Sequence, residues 1–117
     1  MTGNPATDDS GLPSDRSSSL ADVLERAARS VGAIGAVAGV TTTWSRDGQA
    51  FAVHAVHAGD VVEFRLDGPV AAAALRTPDT EPSARGPEWV AVQPRELDQF
   101  AVDRIESWFI AAWRRAG

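Results

Sequence analysis

The sequence predicts an α+β fold, a two-layer sandwich in which helices pack on one face of an antiparallel sheet. An amphipathic helix comes first, a run of short strands separated by Gly- and Asp-containing turns follows it, and a long helix with an aromatic face comes last. The predicted order of elements is α-β-β-β-α-(β)-β-α, in which the parentheses mark a short strand within a proline-rich loop.

The division of the chain follows from where large apolar side chains begin. Residues 1–18 are mostly Ser, Asp, Pro, Gly and Thr, so burial cannot offset the entropy lost on ordering. We expect a disordered tail over 1–18 and a single domain over 19–117, since a second core would leave each half too small.

Helical periodicity defines the first element. Ser19 is suited to be its N-cap, and Gly32 is suited to the left-handed residue that ends it. The apolar residues of one stripe are Leu20, Val23, Leu24, Ala27, Ala28 and Val31.

Alternating and β-branched residues predict a three-stranded meander in the middle of the chain. The turns are expected at Asp47-Gly48 and Gly59-Asp60. The predicted strands cover 37–44, 49–57 and 61–66. Along the second strand, strict alternation places Phe51, Val53 and Ala55 on one face and Ala50, Ala52 and His54 on the other.

The last third of the chain is expected to supply the core ridge. Pro69 lies at or near the start of a short helix that has residues 70–75 as its body and stops by Thr77. The loop 77–88 contains a short strand over 81–84, and a strand follows over 89–93. Asp98 is the predicted N-cap of the final helix. Its core face consists of Ala101, Val102, Ile105, Trp108, Phe109 and Ala112.

Composition excludes several classes of function. The chain has no cysteine, which excludes disulfides, thiolate metal sites and a cysteine nucleophile. All 11 basic residues are arginine, which excludes lysine Schiff-base chemistry and a P-loop. The net charge of −5 makes binding to nucleic acid unfavourable, because counterion release requires clustered cations. We expect a cytoplasmic protein that has no membrane partner.

Three segments carry a resemblance to a known family. They are VVEFRLDGPVAAAALR over 61–76, RGPEWVAVQ over 85–93 and LDQFAVDRIESWFIAAW over 97–113. In these segments the chain resembles the YjbR (MmcQ) family, whose fold is similar to that of type III secretion chaperones. The resemblance implies the order α-β(3)-α-β(2)-α over most of the domain. Members are mostly uncharacterised, and DNA binding has been suggested for some, so no catalytic residue carries over.

Two histidines form the first candidate for chemistry. His54 and His57 precede Asp60, and together they could line a metal or act as acid and base. Positions three apart on a regular strand face opposite sides, so the two rings converge only if the hairpin end bulges. We therefore predict no metal site, no cofactor and no catalytic residue.

The proline-rich loop and the final helix provide two other candidates. Arg85 leads into Trp89, and an arginine beside an aromatic ring can hold an anionic or planar ligand. Arg65, on the third predicted strand, is the third candidate ligand-binding residue. Phe100 and Ile110 fall off the apolar stripe of the last helix and are the candidate interface residues for a second copy or another protein.

These patterns favour a small non-enzymatic binding or interaction module of the YjbR-like type, acting through the sheet face or the proline-rich loop. One alternative is a nucleic-acid-binding protein, which the charge disfavours. A second is a small-molecule-binding or metal-dependent protein that uses His54 and His57 or Arg85, which the lack of a convergent polar set disfavours.

Overall fold

A computed structural model describes residues 19–56 and 59–117 of the chain. It confirms the α+β fold class, with three helices and a six-stranded antiparallel sheet. The elements are α1 Leu20–Val31, β1 Gly35–Ala38, β2 Thr41–Arg46, β3 Gln49–Val56, β4 Asp60–Arg65, α2 Gly68–Ala74, β5 Thr80–Pro82, β6 Trp89–Val92 and α3 Gln99–Ala116. The tail predicted over 1–18 lies outside the described residues.

Strands β1 to β4 form a meander, and β6 lies between β4 and the edge strand β5. The strand order of the sheet is β1-β2-β3-β4-β6-β5, and every neighbouring pair is antiparallel. All three helices contribute to one buried cluster with the same face of this sheet. We call that face the helix-facing side and the opposite one the outer face.

The predicted first strand is wrong in one respect, because the segment 37–44 forms parts of two strands. Gly39 has a φ of 62°, which lets Gly39-Val40 turn the chain so that Ala38 pairs with Thr41. The Val- and Thr-rich composition of the segment hid this turn, since a lone glycine and no Asn, Asp or Pro marks it. The sheet therefore has one strand more than the sequence predicts, β1, and it lies at the edge.

Strand β3 also departs from strict alternation. Trp44 pairs with Ala52 but Ser45 pairs with Ala50, so Phe51 is an extra residue at a bulge. Phe51 and Ala52 consequently both reach the core, whereas Val53 falls on the outer face. The prediction that Phe51 shares a face with Val53 is wrong for this reason.

Helix boundaries follow the predicted capping residues. Ser19 and Asp22 form a reciprocal capping box, and Gly32 ends α1 with a φ of 74°. Asp98 accepts a hydrogen bond from the Ala101 backbone N–H at 2.9 Å at the start of α3. No helix of the described residues is long and apolar enough to cross a membrane.

The core is organised around Phe109, which is fully buried on α3. Its ring makes edge-to-face contacts with three aromatic rings of the sheet, with centroid distances of 5.4 Å to Trp44, 5.2 Å to Phe51 and 6.4 Å to Phe64. Of the predicted ridge, Ala101, Ile105, Phe109 and Ala112 are buried, whereas Val102 and Trp108 are half-buried against the core.

Removal of the Phe109 ring should destabilise the domain more than any other truncation on α3. We expect Phe109→Ala to lower the free energy of unfolding by about 3–5 kcal/mol, because the cavity would also leave the three sheet rings without their common neighbour. Urea denaturation followed by tryptophan fluorescence measures this loss. Phe100→Ala is the matched control on the same helix, since Phe100 is 76% exposed, and it should change stability by less than about 0.5 kcal/mol. Equal losses in the two variants would contradict the central role of Phe109.

Candidate functional site

The outer face of the sheet carries a mixture of small, β-branched and acidic side chains. One register row across it contains Ala36, Thr43, Val53, Glu63, Ala91 and Glu81. Among the described residues, no helix packs on this face, since the buried parts of α1, α2 and α3 all join the cluster on the other side. The predicted ligand-binding residues lie at one corner of this outer face.

The structure brings Arg65, Arg85 and Trp89 together. Arg65 on β4 is the register partner of Trp89 on β6, so the two side chains are neighbours on the outer face. Arg85, in the loop before β6, places its guanidinium carbon 5.6 Å from the centroid of the Trp89 ring. We call these three residues the Arg/Trp cluster.

Carboxylates already engage both arginines of the Arg/Trp cluster. Arg85 Nε lies 2.8 Å from Glu63 Oε1, and the Ser83 hydroxyl donates to Glu63 Oε2 at 2.5 Å. Arg65 Nε lies 3.7 Å from Glu88 Oε1. Both guanidinium charges are therefore already balanced by a carboxylate, which weakens the attraction of either arginine for an anionic ligand.

A third arginine, Arg115 on α3, extends the same network. It contacts Glu88 through its NH2 group, and its Nε lies 3.1 Å from Asp67 Oδ1. The charges of Arg65, Arg85 and Arg115 are thus balanced by those of Glu63, Glu88 and Asp67. The contacts form two groups. The Glu63–Arg85 pair joins β4 to the loop before β6, and Glu88 joins that loop to both β4 and the end of α3, which is a structural role.

Sequence reasoning singled out Arg65 and Arg85 but missed Arg115 and Glu63. Alternation along β4 places Glu63 and Arg65 on the same face. This period-two pattern could have identified Glu63 as a member of the site. The position of Ser83 could not be read from the sequence, because it depends on how the loop 83–88 folds back toward β4.

Within the described residues, the candidate histidine site is a pair of a buried His54 and an exposed Asp60. His54 is 5% exposed and its Nε2 lies 2.9 Å from Asp60 Oδ1. His54 points to the helix-facing side, since it shares a register row with Thr42 and Val62. His57 lies outside the described residues, and within the described ones no group of three metal-binding side chains occurs. The geometry is that of a hydrogen-bonded structural histidine.

Two shallow grooves meet at Asp79 and Arg95. One has a volume of about 560 Å³ and includes Phe100 and Arg104 in its lining; the other has a volume of about 470 Å³ and includes Glu81 and Gln93. Asp79 adopts a left-handed backbone with a φ of 64° and accepts a hydrogen bond from Arg95 Nε at 2.7 Å. Its carbonyl oxygen accepts the Gln93 backbone N–H at 3.0 Å. Asp79 thereby connects the segment before β5 to the segment after β6.

The contacts of Asp79 affect its protonation. The backbone N–H of Arg95, followed by its guanidinium, donates to the carboxylate and holds the pKa of Asp79 below its ordinary value, although partial burial acts in the opposite direction. These hydrogen bonds therefore favour the folded state only while Asp79 is ionised.

Large apolar side chains are exposed at the predicted Phe100 on α3 and also at the β1 edge of the sheet. Phe100 is exposed, whereas Ile110 is partly buried. The two residues therefore do not form one exposed apolar surface on α3. In contrast, Ile34, Val37 and Val40 are 87%, 73% and 59% exposed and lie within seven consecutive residues at β1. We call these three residues the β1 edge patch.

The two edges of the sheet differ in chemistry. The β5 edge is three residues long and contains Glu81 and Pro82, which discourage the addition of another strand. The β1 edge contains only Gly35, Ala36, Val37 and Ala38. Val37 shares a row with Thr42 and so points to the helix-facing side, but it lies beyond the helices and stays exposed. β1 is therefore an uncharged strand, and no strand of residues 19–56 or 59–117 pairs with its side opposite β2.

Comparison with known proteins supports the fold alone. No protein-family model matches the chain, and no curated protein matches it. A crystal structure of a Pseudomonas syringae protein, solved as a structural-genomics target, is similar to it with a TM-score of 0.67. The match covers 86% of this chain and all of that chain at 10% sequence identity, so it shows a shared arrangement of elements and leaves the function open.

The network around Glu63 should contribute measurably to stability. We expect Glu63→Gln to lower the free energy of unfolding by about 1 kcal/mol, because Arg85 loses its charged partner at a position that is only partly exposed. Glu81→Gln is the control in the same register row, where the side chain is exposed, and it should change stability by less than about 0.5 kcal/mol. Urea denaturation of both variants checks the difference, and losses of equal size would contradict a specific role for Glu63.

The lowered pKa of Asp79 predicts an acid dependence of stability. A carboxyl group whose pKa is lower in the folded than in the unfolded state stabilises the fold fully at pH values above its unfolded pKa. For Asp79 this stabilisation is lost as the pH falls below about 4 and through the folded-state pKa. Asp79→Asn should therefore reduce the decline of unfolding free energy over this range, measured by urea denaturation at a series of pH values. Arg95→Met keeps the backbone donor, which is the larger cause, and should retain most of the decline. An unchanged decline in Asp79→Asn would contradict the assignment.

Proposed function

We propose that this protein is a non-enzymatic interaction module that binds an extended polypeptide strand at its β1 edge. The observation that supports the proposal is the β1 edge patch, three large apolar side chains exposed beside a strand with an unpaired side. An added strand would satisfy the free backbone groups of β1 and cover Val37 at the same time. Strand addition needs no catalytic residue and no cofactor.

The alternative functions receive less support from the described geometry. The Arg/Trp cluster offers a small anion no guanidinium that is free of a carboxylate. The same pairing, together with the net charge of −5, disfavours nucleic acid as a partner. Kinship with the YjbR family remains a prediction from the three sequence segments, as does a cytoplasmic location. Under this proposal, that kinship would be one of fold, whereas the binding would take place at β1.

A synthetic strand tests the proposal directly. The probe is a peptide with the sequence of residues 33–40, AIGAVAGV, flanked by arginines for solubility. Added to dilute protein, it should shift the amide NMR signals of Gly35–Ala38 more than those of β5 or β6, because a paired strand donates hydrogen bonds to β1 alone.

Two variants control this experiment. Val37→Lys places a charge at the edge and should abolish the shifts, since edge lysines oppose strand pairing. Phe100→Lys alters an equally exposed apolar residue on α3 and should leave them intact. Shifts centred on the Arg/Trp cluster, or none at any peptide concentration, would refute strand addition at β1.

A further inference from the structure

We infer that the partner of the β1 edge is a second copy of this chain, bound by antiparallel pairing of β1 with β1 across a two-fold axis. The inference rests on the proposed function and names its partner. Two six-stranded sheets would join into one continuous sheet, and the β1 edge patches of the two copies would meet at the junction.

Charge is the first argument for a second copy. The segment from Ser30 to Ser45 contains no Asp, Glu, Arg or His, although the whole chain has 16 acidic residues, 11 arginines and 2 histidines. A charged partner strand would find no counter-charge along β1. The strand that matches an uncharged, apolar edge best is one of the same composition, and the chain itself supplies it.

The guarded β5 edge is the second argument. If β1 could pair with β5 of the next copy, the chains would add head to tail into an open filament. Pro82 and Glu81 oppose that pairing, because proline lacks a backbone donor and the exposed carboxylate sits on the strand that would be approached. The pairing that remains is β1 with β1, which closes after two copies.

The hairpin geometry selects the register of this pairing. Ala38 and Thr41 flank a two-residue turn and are therefore a hydrogen-bonded pair. Hydrogen-bonded and non-hydrogen-bonded pairs alternate along the strand, so the backbone N–H and C=O groups of Val37 and Gly35 point away from β2. A two-fold axis at Ala36 lets Val37 exchange hydrogen bonds with Gly35 of the partner subunit. The large Val37 side chain then lies beside a residue that has none.

The same axis explains why Val37 is exposed in a single copy. Antiparallel strands within one sheet are related by an axis perpendicular to the sheet, so both helix layers lie on the same side of the joined sheet. Val37 points to that side at the edge of its own helix layer. In the pair, the Val37 side chains of both copies lie between the two helix layers and lose contact with water.

Sedimentation velocity over about a hundredfold range of protein concentration tests the inference, since a short edge interface should give about micromolar affinity. We expect the mass to rise from 12.3 kDa toward twice that value and to go no further. Val37→Lys should remain at the monomer mass throughout. Phe100→Lys should associate like the unaltered chain, and its failure to do so would move the interface to α3 and overturn the inference.

Cysteine cross-linking tests the register. The chain has no cysteine of its own, so Ala36→Cys introduces a single thiol at the proposed axis. At the axis the two residues face each other as a non-hydrogen-bonded pair, where the Cα atoms are about 4.5 Å apart, within the span of a disulfide. Mild oxidation should convert this variant to a covalent dimer. Ala91→Cys, in the same register row but on β6, is the control and should remain uncross-linked.

The outcomes separate the inference from the proposed function. A chain that stays monomeric, with Ala36→Cys no more reactive than Ala91→Cys, overturns the second copy as partner even if the AIGAVAGV peptide still shifts β1. Loss of the peptide effect at β1 as well removes the strand-binding function itself. Masses beyond the dimer would overturn the closed pairing and indicate that the β5 edge is not blocked.

Discussion

The contact of Phe109 with three aromatic rings of the sheet fixes where the helix layer packs. It couples α3 to β2, β3 and β4 at one point, and the rings come from sequence positions as far apart as 44 and 109. Because so much of the apolar composition is alanine, few side chains could supply comparable buried area. The position of the helix layer, and therefore of every surface it leaves uncovered, follows from this contact.

A single helix layer leaves the outer face without helical cover among the described residues. There the chain uses small side chains and an ion-pair network in place of apolar packing. Val53 is still buried between its register neighbours Thr43 and Glu63, and Glu63 in turn holds Arg85 and Ser83. In the structure, the predicted ligand-site residue Arg85 holds the loop before β6 against β4. This contact gives the arginine beside Trp89 a structural reason to be there.

The contrast between the two sheet edges connects the fold to the proposed function. Edge strands attract further strands, and proteins usually blunt them with charge, proline or short length. The β5 edge shows all three devices, and β1 shows only short length. An unprotected edge on one side and a protected edge on the other is the arrangement that a closed pair of identical chains requires.

Local patterns in the sequence were sufficient to predict the fold class, the caps of α1 and α3, and the main core residues on α3, because helical periodicity and capping chemistry depend on neighbouring residues. The sequence also singled out Arg65, Arg85 and Trp89, which the structure places beside one another, and a ligand-binding role for them stays a prediction. The pairing of strands decided that Gly39 divides the segment 37–44 between two strands, that Phe51 bulges into the core, and that β1 lies at the sheet edge. Those outcomes depend on which strands pair and where the helices stop, and such long-range choices leave no periodic mark on the chain.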